Sequence, residues 1–548
     1  MVKTLLSLAG LSLSALLLAA TPALADAPRL VRHGTATQLE VQGKPMLLLA
    51  GELGNSSASS EAYMAPHWKR LRDMHLNTVL APVSWELIEP KEGQYDWSSV
   101  DMLIQKARAN NLNLVFLWFG AWKNSMSTYV PGWVKRDEAR FPRAQLPNGQ
   151  GVEILSPLAP ATLAADEKVF AALLAHIKAV DDKQNTVLMV QVENEIGMLP
   201  VARDYSPAAN KAYAGPVPQE LMARLTQHHD TLVPGLRRLW EEHGAKTSGT
   251  WAEVFGPGSA GEEVFTAWSY ARFVDGLTRA GKAAYDLPMY VNVALNRPGR
   301  APGEYPSGGP LPHLIDVWKA GAPSLDFLSP DIYFPNFVDI VNIYKRPDNP
   351  LFIPEANNAD HPQVPGNAFY AIGKLDAIGF GPFSIESIDE KPGAFARAYD
   401  VLEQITPQIL AAQGTGRMSA FRPRSLYDGT LIYEPVTERI GNYLFTVSFA
   451  DIMKPQANAA TGNAGAIIIQ TGADDYLIAG QGVTVTFKPV GPGPEQAGIG
   501  SDWEGRFDAS GRWIAGRLLN GDQTHQGRHV RLEPGEFQIQ RVNLYRYQ

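Results

Sequence analysis

The chain of 548 residues has no cysteine at all. That absence excludes disulfide staples, thiolate nucleophiles and cysteine metal sites, so the core must supply the stability alone. Positive charge is also scarce. Lys and Arg number 48 against 56 Asp and Glu, the formal net charge is -8, and no basic run stands out. A nucleic acid or an anionic membrane surface is therefore not an expected partner. No Gly-rich phosphate loop or dinucleotide fingerprint follows a strand-like segment, and Gly256–Gly261 reads as a plain loop. The 11 histidines show no metal-ligand spacing, with His228-His229 read as two faces of one helix. No metal and no cofactor are expected.

Beyond the N-terminus no segment is long and apolar enough to cross a bilayer. The N-terminus itself reads as a secretory signal. Lys3 forms a short positive region, Leu5 to Ala20 an apolar one, and Ala23-Leu24-Ala25 a small-x-small cleavage site. Residues 1–25 are thus expected to be removed after Ala25, leaving a periplasmic or secreted protein with no membrane attachment. The choice between those two compartments is open.

What is present is an alternation. Between about residues 40 and 400, β-rich runs alternate with amphipathic helical stretches such as Trp97–Asn110, Ala164–Ala179 and Gln219–Glu242. Eight runs qualify as strands: Met46–Glu52, Thr78–Trp85, Leu114–Phe119, Val187–Glu195, Met289–Ala294, Phe327–Tyr333, Leu351–Glu355 and Gly381–Ile385. Eight alternating units predict an α/β fold, a (β/α)₈ barrel over residues 26–404. Its long fourth connection, about residues 196–288, would wall the pocket. After about residue 405 short strands separated by Gly, Pro, Asn and Asp turns predict an all-β, sandwich-like domain over 405–548. Its expected strands are Thr430–Tyr433, Tyr443–Phe449, Ala466–Thr471, Val483–Phe487 and Phe537–Tyr547, with turns over Ala457–Gly465 and Val490–Gly500.

Two strand ends carry chemistry. Leu188–Gly197 is an apolar run that finishes on Asn194-Glu195, and Leu351–Asn358 presents Glu355 at the tip of the seventh run. Barrels keep their chemistry at the C-terminal ends of their strands. Two carboxylic acids facing each other there are the requirement of a retaining glycosidase, one as acid/base and one as nucleophile. Glu253 and Glu386 are competing acids. Glu193, two positions before Glu195, shares its face on a regular strand and is read as a buried, hydrogen-bonded barrel residue. Glu52, ending the first strand, suits either a sugar hydroxyl or a salt bridge. Trp85 suits core or platform equally, and Trp122, Lys123 and Asn124, at the tip of the third strand, are read as substrate-binding.

These motifs resemble those of the β-galactosidases of glycoside hydrolase family 35. Gln191-Val-Glu-Asn-Glu195 matches that family's motif. So do Asn77-Thr78, Trp85, Glu89-Pro90 and Gly93-Gln-Tyr-Asp96, and Pro131-Gly-Trp133 resembles its Pro-Ala-Trp. The resemblance covers roughly residues 40–400. The C-terminal part resembles, more weakly, the β-domain appended in a bacterial subgroup. The resemblance implies Glu195 as acid/base, Glu355 as nucleophile, Asn194 on the sugar 2-hydroxyl and Tyr333 on the nucleophile. Two segments depart from it. Ala81-Pro82 stands where a tyrosine is usual, and Gly120-Ala-Trp-Lys-Asn-Ser125 replaces a Cys-Ala-Glu-Trp segment that holds galactose hydroxyls. The implied function is a retaining exo-β-galactosidase acting on oligosaccharides such as plant-wall or xyloglucan fragments. The alternatives are another retaining glycosidase of the clan (a glucosidase or arabinopyranosidase) and a catalytically silent glycan-binding protein of the cell envelope. Oligomeric state is open, a dimer being compatible.

Overall fold

The computed structural model describes residues 26–388, 393–449 and 464–548. The expected signal segment, and most of the turn expected at Ala457–Gly465, lie outside the described residues.

Eight parallel strands form the barrel: β1 (Leu48–Glu52), β2 (Thr78–Ser84), β3 (Asn113–Lys123), β4 (Val187–Asn194), β5 (Met289–Ala294), β6 (Phe327–Ile332), β7 (Glu355–Ala356) and β8 (Gly379–Phe380). The sheet runs β7-β6-β5-β4-β3-β2-β1-β8, and an Ile353–Phe380 bridge closes the ring. Three expected strands move. The seventh, expected over Leu351–Glu355, is reduced to Glu355–Ala356, with only the Ile353 bridge before it. The eighth lies two residues earlier than Gly381–Ile385, whose last residue opens a 3-10 turn over Ile385–Ser387. Met46 belongs not to β1 but to a short antiparallel strand, Lys44–Met46. The barrel interior is filled by Leu48, Ala50, Leu80, Leu117, Phe119, Tyr290, Phe327 and Phe352, which form one cluster with Leu39. Leu39 comes from the three-stranded ribbon of residues 29–46, a piece not foreseen, which plugs the N-terminal end of the barrel. A filled interior leaves only the opposite rim for function.

Helices α1 (Pro160–Asp181) and α2 (Ser259–Ala284) pack against each other outside β3 and β4. The expected helix Gln219–Glu242 is two, Gln219–Gln227 and Pro234–Glu242, with a 3-10 turn over His229–Thr231 between them. Pro234 begins the second, because proline suits a first helical turn and not an interior one. His229 therefore sits in that turn, paired with Asp230 and Glu241.

The chain leaves the barrel through α3 (Ala394–Ala412), which runs across residue 404 where the change of texture was expected. Ten further labelled strands follow: β9 (Met418–Phe421), β10 (Val436–Ile440), β11 (Tyr443–Ser448), β12 (Gly465–Gln470), β13 (Asp475–Gln481), β14 (Val483–Pro489), β15 (Gln496–Phe507), β16 (Trp513–Leu518), β17 (Val530–Leu532) and β18 (Gln538–Tyr547). They form an antiparallel six-stranded sheet (β9-β12-β13-β18-β15-β16) and a four-stranded one (β10-β11-β14-β17). The stretch Val490–Gly500, expected as a turn, instead contains the start of the longest of these strands, β15. Gly493, Gly498 and Gly500 mask its β pattern.

Candidate active site

β3 ends in an irregularity that shapes the site. Trp118 pairs with Val192 and Lys123 with Asn194, so four residues of β3 oppose one of β4. Such a bulge bends a strand and re-aims its side chains. The bulged residues Gly120, Ala121 and Trp122 turn toward the helices. Trp122 is fully buried, packed edge-on against Tyr270 and Phe273 of α2, and its Nε1 donates to the Leu155 carbonyl at 3.1 Å. The expected substrate-binding role of Trp122 is thus corrected to a core role. Trp85 is likewise core, edge-on to Trp133, its Nε1 donating to Glu89.

The bulge also explains Glu193. Its carboxylate accepts the amides of Ala121 at 3.0 Å and Trp122 at 2.8 Å, beside Asp166 of α1. Glu193 and Glu195 both have positive φ, 59° and 45°. Left-handed backbone there breaks the alternation of a regular strand. The two glutamates therefore do not share a face: Glu193 turns toward the helix layer and Glu195 toward the rim.

Beyond the bulge, Lys123–Met126 closes a tight turn with φ of 48° at Asn124 and 70° at Ser125, a conformation asparagine tolerates well. The turn is clamped onto β4, Asn124 N donating to the Asn194 carbonyl and Ser125 N to that of Glu195. This delivers the Asn124 amide nitrogen to the Glu195 carboxylate. On the other side Asn292 of β5 accepts the Glu195 amide at 2.9 Å and donates to Asp331 at 2.6 Å. Asp331 lies next to Glu355 in register, and Tyr333, half-exposed at the rim, donates its hydroxyl to Glu355 Oε1.

Carboxylate oxygens of Glu195, Asp331 and Glu355 all lie within 4.8 Å of one another. Glu52 joins them, its acidity shifted by both Glu355 and Glu195. Four buried acids face one ammonium, that of Lys123, which rests 5.1 Å from the centre of the Phe119 ring. Buried carboxylates this close together disfavour one another's ionisation. Burial, then Glu355, push the Glu195 carboxyl up to about 7 against the opposing pull of Lys123. Burial likewise holds Glu52 and Asp331 well above the usual carboxylate range. Both polar atoms of the Asn194 side chain, with Glu52 Oε1, Asp331 Oδ1 and Glu355 Oε2, are buried without a hydrogen-bond partner among the described residues. Unpartnered polar atoms converging on one spot mark where a polar ligand fits. Three clustered carboxylates are also a donor set that a cation could use, one that histidine spacing could not reveal.

The tip residues Glu52, Lys123, Asn124, Asn194, Glu195, Tyr333 and Glu355 are thus brought together, and Trp122 is not. Sequence reasoning missed Asp331 and Asn292. Asp331 stands two residues before Tyr333, near the end of β6, a signal that was there to use. The competing acids are held by other partners. Glu253 forms an exposed capping box with Thr250, and Glu386 accepts from Gly54 N and Ser57 Oγ to pin the loop after β1.

Residues 57–280 match the family model described as Beta-galactosidase, that of glycoside hydrolase family 42. Over that stretch the barrel is similar to glycoside hydrolases of the β-galactosidase type. The match includes Asn194-Glu195 and stops before Glu355, and it names family 42 where the motifs resemble family 35. Residues 395–531 match a domain of unknown function, DUF5597. A curated β-galactosidase of Xanthomonas manihotis is 28% identical over 169 residues, 29% of this chain and 25% of that protein. The alignment thus spans about a quarter of the relative's length. Among solved structures, a β-galactosidase from Bacillus circulans sp. alkalophilus superposes with TM-score 0.44 at 16% identity, over 67% of this chain and 57% of that one. One from the psychrophilic Marinomonas ef1 gives 0.46 at 11%, over 68% and 63%.

Proposed function

We propose that the protein is an exported, retaining exo-β-galactosidase that removes terminal β-galactose from oligosaccharides of plant-wall type. The observation that carries the reading is the pair of strand-end glutamates, Glu195 and Glu355, with carboxylate oxygens within 4.8 Å of each other. Retaining enzymes hold their two carboxyls about 5–5.5 Å apart, whereas inverting enzymes need about 6.5–9.5 Å to admit a water. In the first step Glu355 Oε2, buried without a hydrogen-bond partner among the described residues, attacks the anomeric carbon while Tyr333 holds Oε1. Glu195 gives its proton to the departing oxygen, a role that its upward shift to about 7 supports near neutral pH. In the second step Glu195 takes a proton from water, which displaces Glu355 from the sugar with net retention. Asn194, both polar atoms unpartnered, is placed to bind the sugar 2-hydroxyl, and Glu52 and Lys123 are placed for other hydroxyls.

The strand-two and strand-four motifs support family 35 as the narrower assignment, and the Ala23-Leu24-Ala25 site supports export with cleavage after Ala25. The test is hydrolysis of p-nitrophenyl β-D-galactoside by the wild type and by Glu355→Ala, with azide added. Formation of α-galactosyl azide by the variant is expected. Wild-type activity on other aryl glycosides but not this one overturns galactose, and β-galactosyl azide from the variant overturns Glu355 as nucleophile.

A further inference from the structure

The C-terminal domain carries a cleft that the reaction does not use. It lies on the exposed face of the six-stranded sheet, where β13, β18, β15 and β16 run side by side. Pairing fixes which side chains share that face. Asp475 is opposite Asn543, Asn543 opposite Ser501, Arg541 opposite Trp503, Gly505 opposite Ala515 and Phe507 opposite Trp513. Directly opposed residues point the same way. The cleft has a volume of about 340 Å³, inside the roughly 300–1,000 Å³ range of small-molecule sites.

Small residues open it. A Cβ at Gly505 would lie 2.5 Å from the Trp513 ring, so the missing side chain is what lets that indole lie across the sheet. Trp503, 37% exposed, forms another aromatic wall. Between the rings stand planar polar groups. Asn543 donates to Asp475 at 2.9 Å, which fixes both on the wall. The Arg541 guanidinium rests over Trp513 at 5.6 Å and has no hydrogen bond or ion pair among the described residues.

Aromatic faces beside a guanidinium fork, an amide and a carboxylate match one ligand chemistry. A neutral pyranoside offers an apolar C–H face to an indole and equatorial hydroxyls to planar donors and acceptors. We infer that this cleft binds a sugar unit of a neutral, β-galactose-bearing polysaccharide and anchors the polymer while the barrel trims it. The glycosidase reading enters only in the choice of glycan.

Electrophoresis of the full chain through gels containing soluble β-galactan or xyloglucan tests it, with Glu195→Gln as background to suppress turnover. Retardation is expected for Glu195→Gln, and at least tenfold weaker retention once Trp503→Ala or Arg541→Ala is added. Arg541→Ala is a surface change that guards against a folding defect of the tryptophan variant. In the active background Trp503→Ala is expected to keep aryl galactoside kcat/KM within twofold while losing several-fold on polymer. Retention unchanged by both substitutions, or no retention in either gel, overturns the cleft. Failure on the aryl galactoside with retention intact overturns the galactosidase reading and leaves the cleft standing.

Discussion

At the scale of the residue, the site is a problem of proton placement. In the proposed mechanism Glu195 must be protonated for leaving-group departure, and its carboxyl is pushed up to about 7 by burial and Glu355. Activity carried by the protonated form is full below that value and falls as pH rises through it, so the basic limb of kcat/KM is expected near pH 7. Lys123 opposes the shift through its charge. Lys123→Met is therefore expected to move the basic limb upward, by about one pH unit for each roughly 1.4 kcal/mol of lost attraction. A pH profile on an aryl galactoside decides it, and a limb that stays or moves down removes Lys123 from this role. Asp331 illustrates why single residues mislead in sequence. Alone it is an acid near the end of a strand. Only the barrel's closure sets it against Glu195 and Glu355.

At the scale of the element, β3 decides what its tip can do. Seen as a regular strand, Gly120–Ser125 offers an aromatic and two polar residues to a substrate. The four-for-one bulge divides them, sending Trp122 into the helix layer and Lys123 and Asn124 to the rim. Trp122→Ala is accordingly expected to cost stability, about 3–5 kcal/mol, with the KM of the folded remainder within twofold of wild type. Urea midpoints and initial rates measured side by side settle it, since a sugar platform would instead raise KM with little change in midpoint. Most of the barrel strands were legible because buried parallel strands are continuous apolar runs, whereas the seventh and eighth, two residues each, were misplaced. The residues of β15 were not legible, because glycines in a half-exposed strand erase the alternation that would announce it.

At the scale of the whole molecule, the barrel and the β-domain share one core. The large hydrophobic cluster that contains Trp122 and Phe369 runs on into Ala420, Ile467, Ile469, Leu477 and Ile539, and Phe369 stacks on Phe537 at 5.9 Å. Ion pairs cross the same junction, the part-buried Lys374 with Glu438 and the exposed Arg424 with Asp339, the latter adding only about 0–1 kcal/mol. A shared apolar interface couples the unfolding of its two sides. Calorimetry is therefore expected to give one thermal transition for the full chain, and two well-separated transitions would show the domains to be independent.

The sequence by itself determined the strand count, the barrel, the β-rich C-terminal texture and the two glutamates at opposing strand ends. Those are properties of local pattern: apolar runs, turn residues, and acids at their ends. Tertiary structure alone decided that Glu193 and Glu195 face different ways, that Trp122 is core, that Asp331 and Asn292 complete the site, and that Trp503 and Trp513 flank one cleft. Each of these depends on backbone breaks from regular geometry or on contacts between strands far apart in the chain. A one-residue periodicity carries no record of either.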